Sequence, residues 1–115
     1  MKKIELQITQ KEAGRDVTKR LKIDQDRSIG IGKAHGNTIR LKQGYFKDYE
    51  GAIVFMEGHL QYESLSDSKR KVFTKGRLIE VIKPIRVPFF IDDEIIITEK
   101  PDKYRELGVV VKRVA

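Results

Sequence analysis

Hydrophobic residues alternate with polar ones in many short segments of this chain. Near the N-terminus Ile4, Leu6 and Ile8 are each separated by one charged or polar residue, and residues 60–64 repeat this spacing. Successive side chains of a β-strand point to opposite faces, so the spacing places one set of side chains in a core and the other in water. The aliphatic composition agrees, because 14 Ile and 9 Val outnumber 7 Leu and 4 Ala, and branching at Cβ favours strands.

Turn residues divide the chain into eleven predicted strands. Gly58 after Glu57 predicts a two-residue hairpin, and Asp92 with Asp93 predicts a second hairpin. Only residues 12–16 and 99–105 have a pattern that suits a helical turn. Many short strands at close spacing indicate an antiparallel β-sandwich or barrel, in a single domain spanning residues 1–115. The predicted strands are 2–9, 16–24, 28–32, 37–41, 51–56, 59–65, 71–75, 77–83, 86–91, 94–99 and 106–114.

Charge and composition narrow the classes of function. The net charge is +7, and the excess of bases lies in the first three quarters of the chain, so the surface can attract nucleic acid, phosphorylated protein or acidic lipid. The absence of Cys excludes disulfides, thiolate zinc sites and Cys nucleophiles, and it is typical of a cytoplasmic protein. The longest apolar runs are too short to insert into a membrane, and residues 1–5 do not resemble a secretory signal.

The residue types that carry catalysis or hold cofactors lack the necessary pattern. Gly30, Gly32 and Gly36 precede an alternating segment, whereas a phosphate-binding loop needs a helix behind it; they are better explained by a tight bend between strands. His35 and His59 are too few for a zinc site. We therefore expect no metal, no cofactor and no enzymatic activity.

Aromatic and basic residues are mixed in residues 42–49. Tyr45, Phe46 and Tyr49 beside Lys42 and Lys47 could form a platform on which the bases of single-stranded nucleic acid stack. Alternatively, Phe46 anchors this loop in the core while the tyrosines lie at its rim. We favour the second interpretation, because these aromatic residues do not line one strand.

Several segments, in their order and spacing, resemble a forkhead-associated (FHA) domain. That family is an eleven-stranded β-sandwich, related to the SMAD fold, whose members usually bind phosphothreonine peptides through loops at one end. The resemblance covers about residues 2–100. The segments that carry it are Ile31-Gly32-Lys33 with Asn37-Thr38-Ile39-Arg40-Leu41, then 51–54, 57–65, 75–79 and 91–97.

The chain departs from the family at the positions that bind phosphate. Lys33 replaces the family's Arg and lacks its bidentate fork. Asp48 best matches the family's Ser, and its carboxylate would repel phosphate. Gly51 stands where the family has a structural His, and the peptide-holding Asn falls near Lys69 or Arg70. The chain therefore resembles a divergent member, such as the FHA-like modules of bacterial secretion systems that lack the phosphothreonine-binding residues.

We expect the basic loops to gather at one end of the sandwich and bind an anion there. Lys33, Lys69 and Arg70 would contact the anion, and Asn37 would hold a loop through its side-chain amide. Lys47 is a further candidate, because a shift of one residue in the comparison with the family would place Lys47 instead of Asp48 at the family's Ser position.

The resemblance implies a non-catalytic protein-interaction module that captures an acidic or phosphorylated protein segment, as in signalling. Two alternatives stay open at this point. One is a basic β-barrel that binds single-stranded nucleic acid, and the other is a structural assembly domain that does not recognise phosphate.

Overall fold

The computed structural model describes residues 2–42, 46–64, 70–74, 77–81, 86–98 and 108–115, with the backbone alone for 70–74 and 77–81. These residues form strands and no helix, as predicted, and none of them belongs to a helix that could cross a membrane. The number of strands in the whole chain stays a prediction. The strands of the described part are β1 Lys3–Glu12, β2 Arg15–Asp24, β3 Ile29–Gly32, β4 Ile39–Arg40, β5 Gly51–Met56, β6 His59–Ser64, β7 Arg70–Thr74, β8 Arg77–Val81, β9 Arg86–Pro88, β10 Glu94–Ile97 and β11 Val109–Arg113.

Two sheets make up the molecule. One has six strands in the order β2-β1-β11-β10-β7-β8, and the other has five in the order β4-β3-β5-β6-β9. The pairings are antiparallel except between β3 and β4, which run parallel with Ile31 opposite Ile39. The prediction of a purely antiparallel sandwich is wrong at this pair. A loop of six residues is long enough for this parallel connection, because β4 pairs only with the last two residues of β3.

The core lies between the sheets and follows the alternation in the sequence. Ile4, Leu6 and Ile8 of β1 are at most 5% exposed. In the Ile run of β10, Ile95 and Ile97 join the same core, whereas Ile96 is buried on the opposite face of the sheet. The strand spacing therefore positions the core, and the other buried aliphatic and aromatic residues complete it: Ile29, Ile31, Ile39, Leu41, Phe46, Ile53, Leu60, Tyr62, Val87, Phe89, Val109 and Val111.

The hairpin predicted at Glu57 and Gly58 is confirmed. Both residues have positive φ, 55° and 84°, and they connect the paired strands β5 and β6. Residues 12–16 form a second hairpin, between β1 and β2, rather than a helical turn, because Ala13 and Gly14 also take positive φ. The other segment with a possible helical turn, 99–105, lies outside the described residues.

The turn at Asp92 and Asp93 passes from one sheet to the other. Strand β9 belongs to the five-stranded sheet and β10 to the six-stranded one, so the interpretation as a hairpin is wrong. The carboxylate of Asp93 accepts a hydrogen bond from the Phe90 amide at 2.9 Å, and the guanidinium of Arg113 donates to the Phe89 carbonyl at 2.8 Å. Burial lowers the pKa of Arg113, against the opposing attraction of Asp93.

A buried glutamine joins the two sheets near the C-terminal end of β1. The side-chain amide of Gln10 donates to the Arg40 carbonyl and accepts from the Lys42 amide, both at 3.1 Å. The side chain of Gln10 therefore forms one donated and one accepted hydrogen bond with the backbone at and after β4.

Candidate functional site

Two chain segments come together at one end of the sandwich, which we call the loop end: residues 33–38 and 46–50. The amide of Lys33 donates to the Lys47 carbonyl at 2.9 Å, and the amide of Ala34 donates to the Asp48 carbonyl at 3.2 Å. These bonds extend the pairing of β3 and β5 beyond the last strand residues. The two segments therefore form one connected surface rather than independent loops.

Asn37 fastens this surface. Its side-chain amide donates to the carbonyls of Ala34 at 3.0 Å and Asp48 at 2.8 Å, while its own backbone amide donates to Ala34. One side chain thus closes the first segment on itself and ties it to the second. This is the loop contact that the sequence analysis expects of Asn37.

Two glycines make the close approach possible. A Cβ on Gly30 would lie 2.8 Å from Asn37 Oδ1, and a Cβ on Gly32 would overlap the Asp48 carbonyl. At Gly36, by contrast, a Cβ would have open space around it. The glycines therefore serve the packing of a bend between strands, and β4 rather than a helix follows them.

Two buried residues, Phe46 and Glu50, anchor the second segment, residues 46–50, to the sandwich. Phe46 is 2% exposed and lies in the core, as one of the two interpretations of this region predicts. Glu50 is also buried, and its carboxylate accepts a hydrogen bond from the Lys47 amide at 2.8 Å. Tyr49 is 62% exposed, and Tyr45 lies outside the described residues. The backbone of Lys47 and Asp48 is thus fixed while their side chains face solvent.

The exposed charge at the loop end is mainly positive. Lys33 is exposed and forms no ion pair within the described part of the chain. The guanidinium of Arg40 lies over the same loop, where Nε donates to the Lys33 carbonyl at 3.2 Å and a terminal nitrogen is 3.1 Å from His35 Nε2. With Lys47 these cations outnumber the single exposed carboxylate, that of Asp48.

Sequence reasoning missed Arg40 as a site residue. Its guanidinium reaches the loop because β4 pairs in parallel with β3 and places Arg40 opposite Gly32. The only signal in the sequence was its place between Ile39 and Leu41, which predicts an outward side chain.

Three of the five predicted site residues lie at the loop end, namely Lys33, Asn37 and Lys47. Lys69 lies outside the described residues, and of Arg70 only the backbone is described, at the start of β7. The place of Lys69 and Arg70 at the site therefore stays a prediction. Strand β6 ends at this same end, since Ser64 pairs with Gly51.

The position where the family has its structural His is filled from another strand. A Cβ on Gly51 would lie 2.7 Å from Cε2 and Cζ of Tyr62, whose side chain is 2% exposed. The ring of Tyr62 thus packs against the backbone of Gly51, so a larger residue at position 51 does not fit. Asp48 also differs from the residue type that the family has at this position. Its backbone carbonyl accepts the hydrogen bond from Asn37, and its carboxylate is exposed.

Comparison with known proteins agrees with this architecture. No protein-family model and no curated protein matches the chain, but solved structures do. The FHA-1 domain of Mycobacterium tuberculosis Rv1747 matches with a TM-score of 0.56 at 10% identity, over 97% of this chain and 98% of that one. An engineered FHA domain with a Myc-pTBD peptide matches with a TM-score of 0.61 at 16% identity, over 96% and 91%.

A third match is the yeast Dun1 FHA domain in complex with a doubly phosphorylated peptide derived from Rad53. Its TM-score is 0.51 at 11% identity, over 96% of this chain and 74% of that one. Identities this low establish a common fold, which spans nearly the whole chain in each comparison. This chain therefore has the β-sandwich fold of a divergent forkhead-associated domain.

Proposed function

We propose that the chain is a non-catalytic interaction module that binds an acidic or phosphorylated segment of a partner protein at the loop end. The observation that carries the proposal is the pair of loop segments fastened by Asn37, which holds Lys33 and Arg40 on one rigid surface. Two of the similar structures are FHA domains with peptides, one of them doubly phosphorylated. Binding groups on loops that a rigid sandwich positions are common.

The cations would act in two ways. Their combined field attracts an anionic segment from solution, and Lys33 then contacts the anion directly. Lysine provides a point charge without a planar fork. Arg40 would supply the guanidinium that Lys33 lacks at the family's Arg position. Two nitrogens of Arg40 are already oriented by the loop, and a fixed guanidinium loses less entropy on binding. Lys47, Lys69 and Arg70 would add charge.

Asp48 limits the kind of anion that the site accepts. Its exposed carboxylate lies on the same surface as Lys33 and repels a doubly charged phosphate more strongly than a singly charged carboxylate. This residue is the observation that favours a structural assembly domain without phosphate recognition as the second candidate. The same protein partner would then bind without any preference for phosphate.

The nucleic-acid alternative gains less support from the described residues than the protein-binding proposal. The fold consists of two sheets rather than a barrel, so that part of the alternative is wrong. Phe46 is buried, which leaves Tyr49 as the exposed aromatic residue among those described in residues 42–49. Each exposed ring can stack one base, so the described residues of this segment offer one stacking position.

Three peptides of one sequence test the proposal, carrying phosphothreonine, glutamate or threonine at a central position. We expect the two anionic peptides to bind in fluorescence anisotropy, and Lys33→Ala or Arg40→Gln to weaken binding about 5- to 30-fold, as for the loss of a charge-assisted hydrogen bond. Lys22→Ala is the matched control, because it removes one exposed charge from β2.

Two results would overturn the proposal. One is an equal loss of affinity for Lys33→Ala and Lys22→Ala, which would indicate unspecific attraction. The other is failure of all three peptides while a mixed oligonucleotide binds with a steep dependence on salt, the signature of phosphate-backbone contacts. Equal binding of the threonine and anionic peptides would instead favour the assembly domain.

A further inference from the structure

The sandwich has a groove along the side where the edge strands of its two sheets, β2 and β4, lie next to each other. We call it the flank groove, and its volume is about 150 Å³. Its floor is apolar, formed by Ile8, Leu21 and Ile39, the exposed side chains of Lys19, Arg40 and Lys42 lie at its rim, and Gln10 and Thr38 complete the lining. Leu21 packs against the core but is only partly buried. The groove adjoins the loop end, because Thr38 and Arg40 line it as well.

Strand β2 has a free edge beside this groove. It pairs with β1 along all ten of its residues, and in the described part of the chain no strand pairs with its other side. A free edge presents unpaired N–H and C=O groups to which an extended peptide can add as a further strand. A strand added there would extend the six-stranded sheet and direct alternate side chains over the groove.

The charges at this edge favour an acidic occupant. Strand β2 holds four bases and two acids. At the groove rim, the ammonium groups of Lys19 and Lys42 share one carboxylate, that of Glu12, at 3.8 Å and 4.0 Å. One carboxylate cannot neutralise both, so a positive charge remains beside an apolar floor.

The same charges oppose pairing of β2 with a second copy of itself. An antiparallel pair centred on the strand would place Lys19 opposite Arg20. Like charges directly opposite each other destabilise a strand pair. A basic edge of this kind also resists unspecific aggregation, and an acidic strand would remove the repulsion.

We propose that the flank groove and the free edge of β2 form a second binding surface, for an extended acidic segment of a partner protein. The segment adds as a strand to β2, its apolar side chains cover Leu21, and its carboxylates pair with Lys19 and Lys42. This surface requires no phosphate and does not depend on the function proposed for the loop end.

The test uses the whole chain, labelled with ¹⁵N, and a synthetic peptide in which glutamate or aspartate alternates with valine. We expect saturable shift changes in β2 and slower amide exchange along that strand. Lys19→Glu should weaken binding at least about 10-fold, because it replaces attraction by repulsion, a change worth about 1.4 kcal/mol or more. Binding at the loop end is followed separately, through the amides of residues 33–37, and Lys33→Ala should reduce those shift changes while the shift changes in β2 persist.

The control for charge is Lys22→Glu, the same reversal on the same strand. Lys22 lies opposite Glu5 on the outer face of the sheet, whereas Lys19 lies opposite Ile8 on the groove side. Equal effects of the two reversals would overturn the proposal, as would a peptide of alternating lysine and valine that binds equally well. Protection of β2 without peptide, growing with protein concentration, would also overturn it in favour of a second copy of the chain.

Discussion

A pair of residues, Gly51 and Tyr62, determines how the base of the loop end is packed. The family resemblance places a histidine at position 51, but here the ring of Tyr62 occupies the space that any side chain at that position would need. A large residue on the neighbouring strand thus fills this space. Because interiors are close-packed, a side chain at position 51 and the ring of Tyr62 cannot occupy it together.

Gly51→Ala should lower the free energy of unfolding by about 1–3 kcal/mol, as for overpacking of a filled core. Urea denaturation measures this, and Gly36→Ala, where a Cβ meets nothing within 4 Å, should change it by less than about 0.5 kcal/mol. Adding Tyr62→Leu should relieve the strain, with a favourable coupling of at least about 0.5 kcal/mol. Equal stability of the two alanine variants would contradict this packing.

The sequence predicts the role of a single candidate residue only where that role follows from the residue type and its spacing from neighbouring motifs. Asn37 binds carbonyls three and eleven positions away, and the family spacing identifies it. The roles of Arg40 and Tyr62 depend instead on which strands pair and in which direction. Residue types and spacing along the chain do not contain that information.

At the scale of elements, Gln10 is the side chain that connects β1 to the other sheet beside the loop end. Gln10→Ala leaves the Arg40 carbonyl and the Lys42 amide without their partner and should cost about 1–3 kcal/mol. Gln7→Ala, on the outer face of the same strand, should cost less than about 0.5 kcal/mol. Denaturation compares the two, and faster hydrogen exchange at Lys42 should accompany the loss of Gln10. Unchanged hydrogen exchange at the Lys42 amide would contradict the connection through Gln10.

Most described strands were predictable, because the alternation of apolar and polar residues that marks a strand lies within a few consecutive residues. The alternation at Ile4, Leu6 and Ile8 specifies β1, and Glu57 with Gly58 specifies the hairpin that follows β5. The change of sheet at Asp92 was not predictable, since a turn residue indicates a bend but not the partner of the next strand. Strand β4 is shorter than the predicted 37–41, because the amide of Asn37 donates to Ala34 within its own loop instead of to β3.

At the scale of the whole molecule, the two surfaces that we propose for anionic protein lie next to each other. The loop end presents Lys33 and Arg40 on a fixed backbone, and the flank groove presents Lys19 and Lys42 beside an apolar floor. Strand β4 connects them, since Arg40 reaches over the loop and also lines the groove. A partner with two acidic segments would gain affinity from occupying both surfaces.

Mapping the phosphothreonine peptide on the ¹⁵N-labelled chain tests the central claim most directly. We predict saturable shift changes concentrated at the amides of residues 33–37 and 47–48 and at Arg40 Nε, with no comparable change at the hairpin of Glu57 and Gly58, which lies at the other end of β5 and β6. Binding that leaves residues 33–48 unchanged, or that centres on the hairpin, would contradict the assignment of the loop end as the binding site.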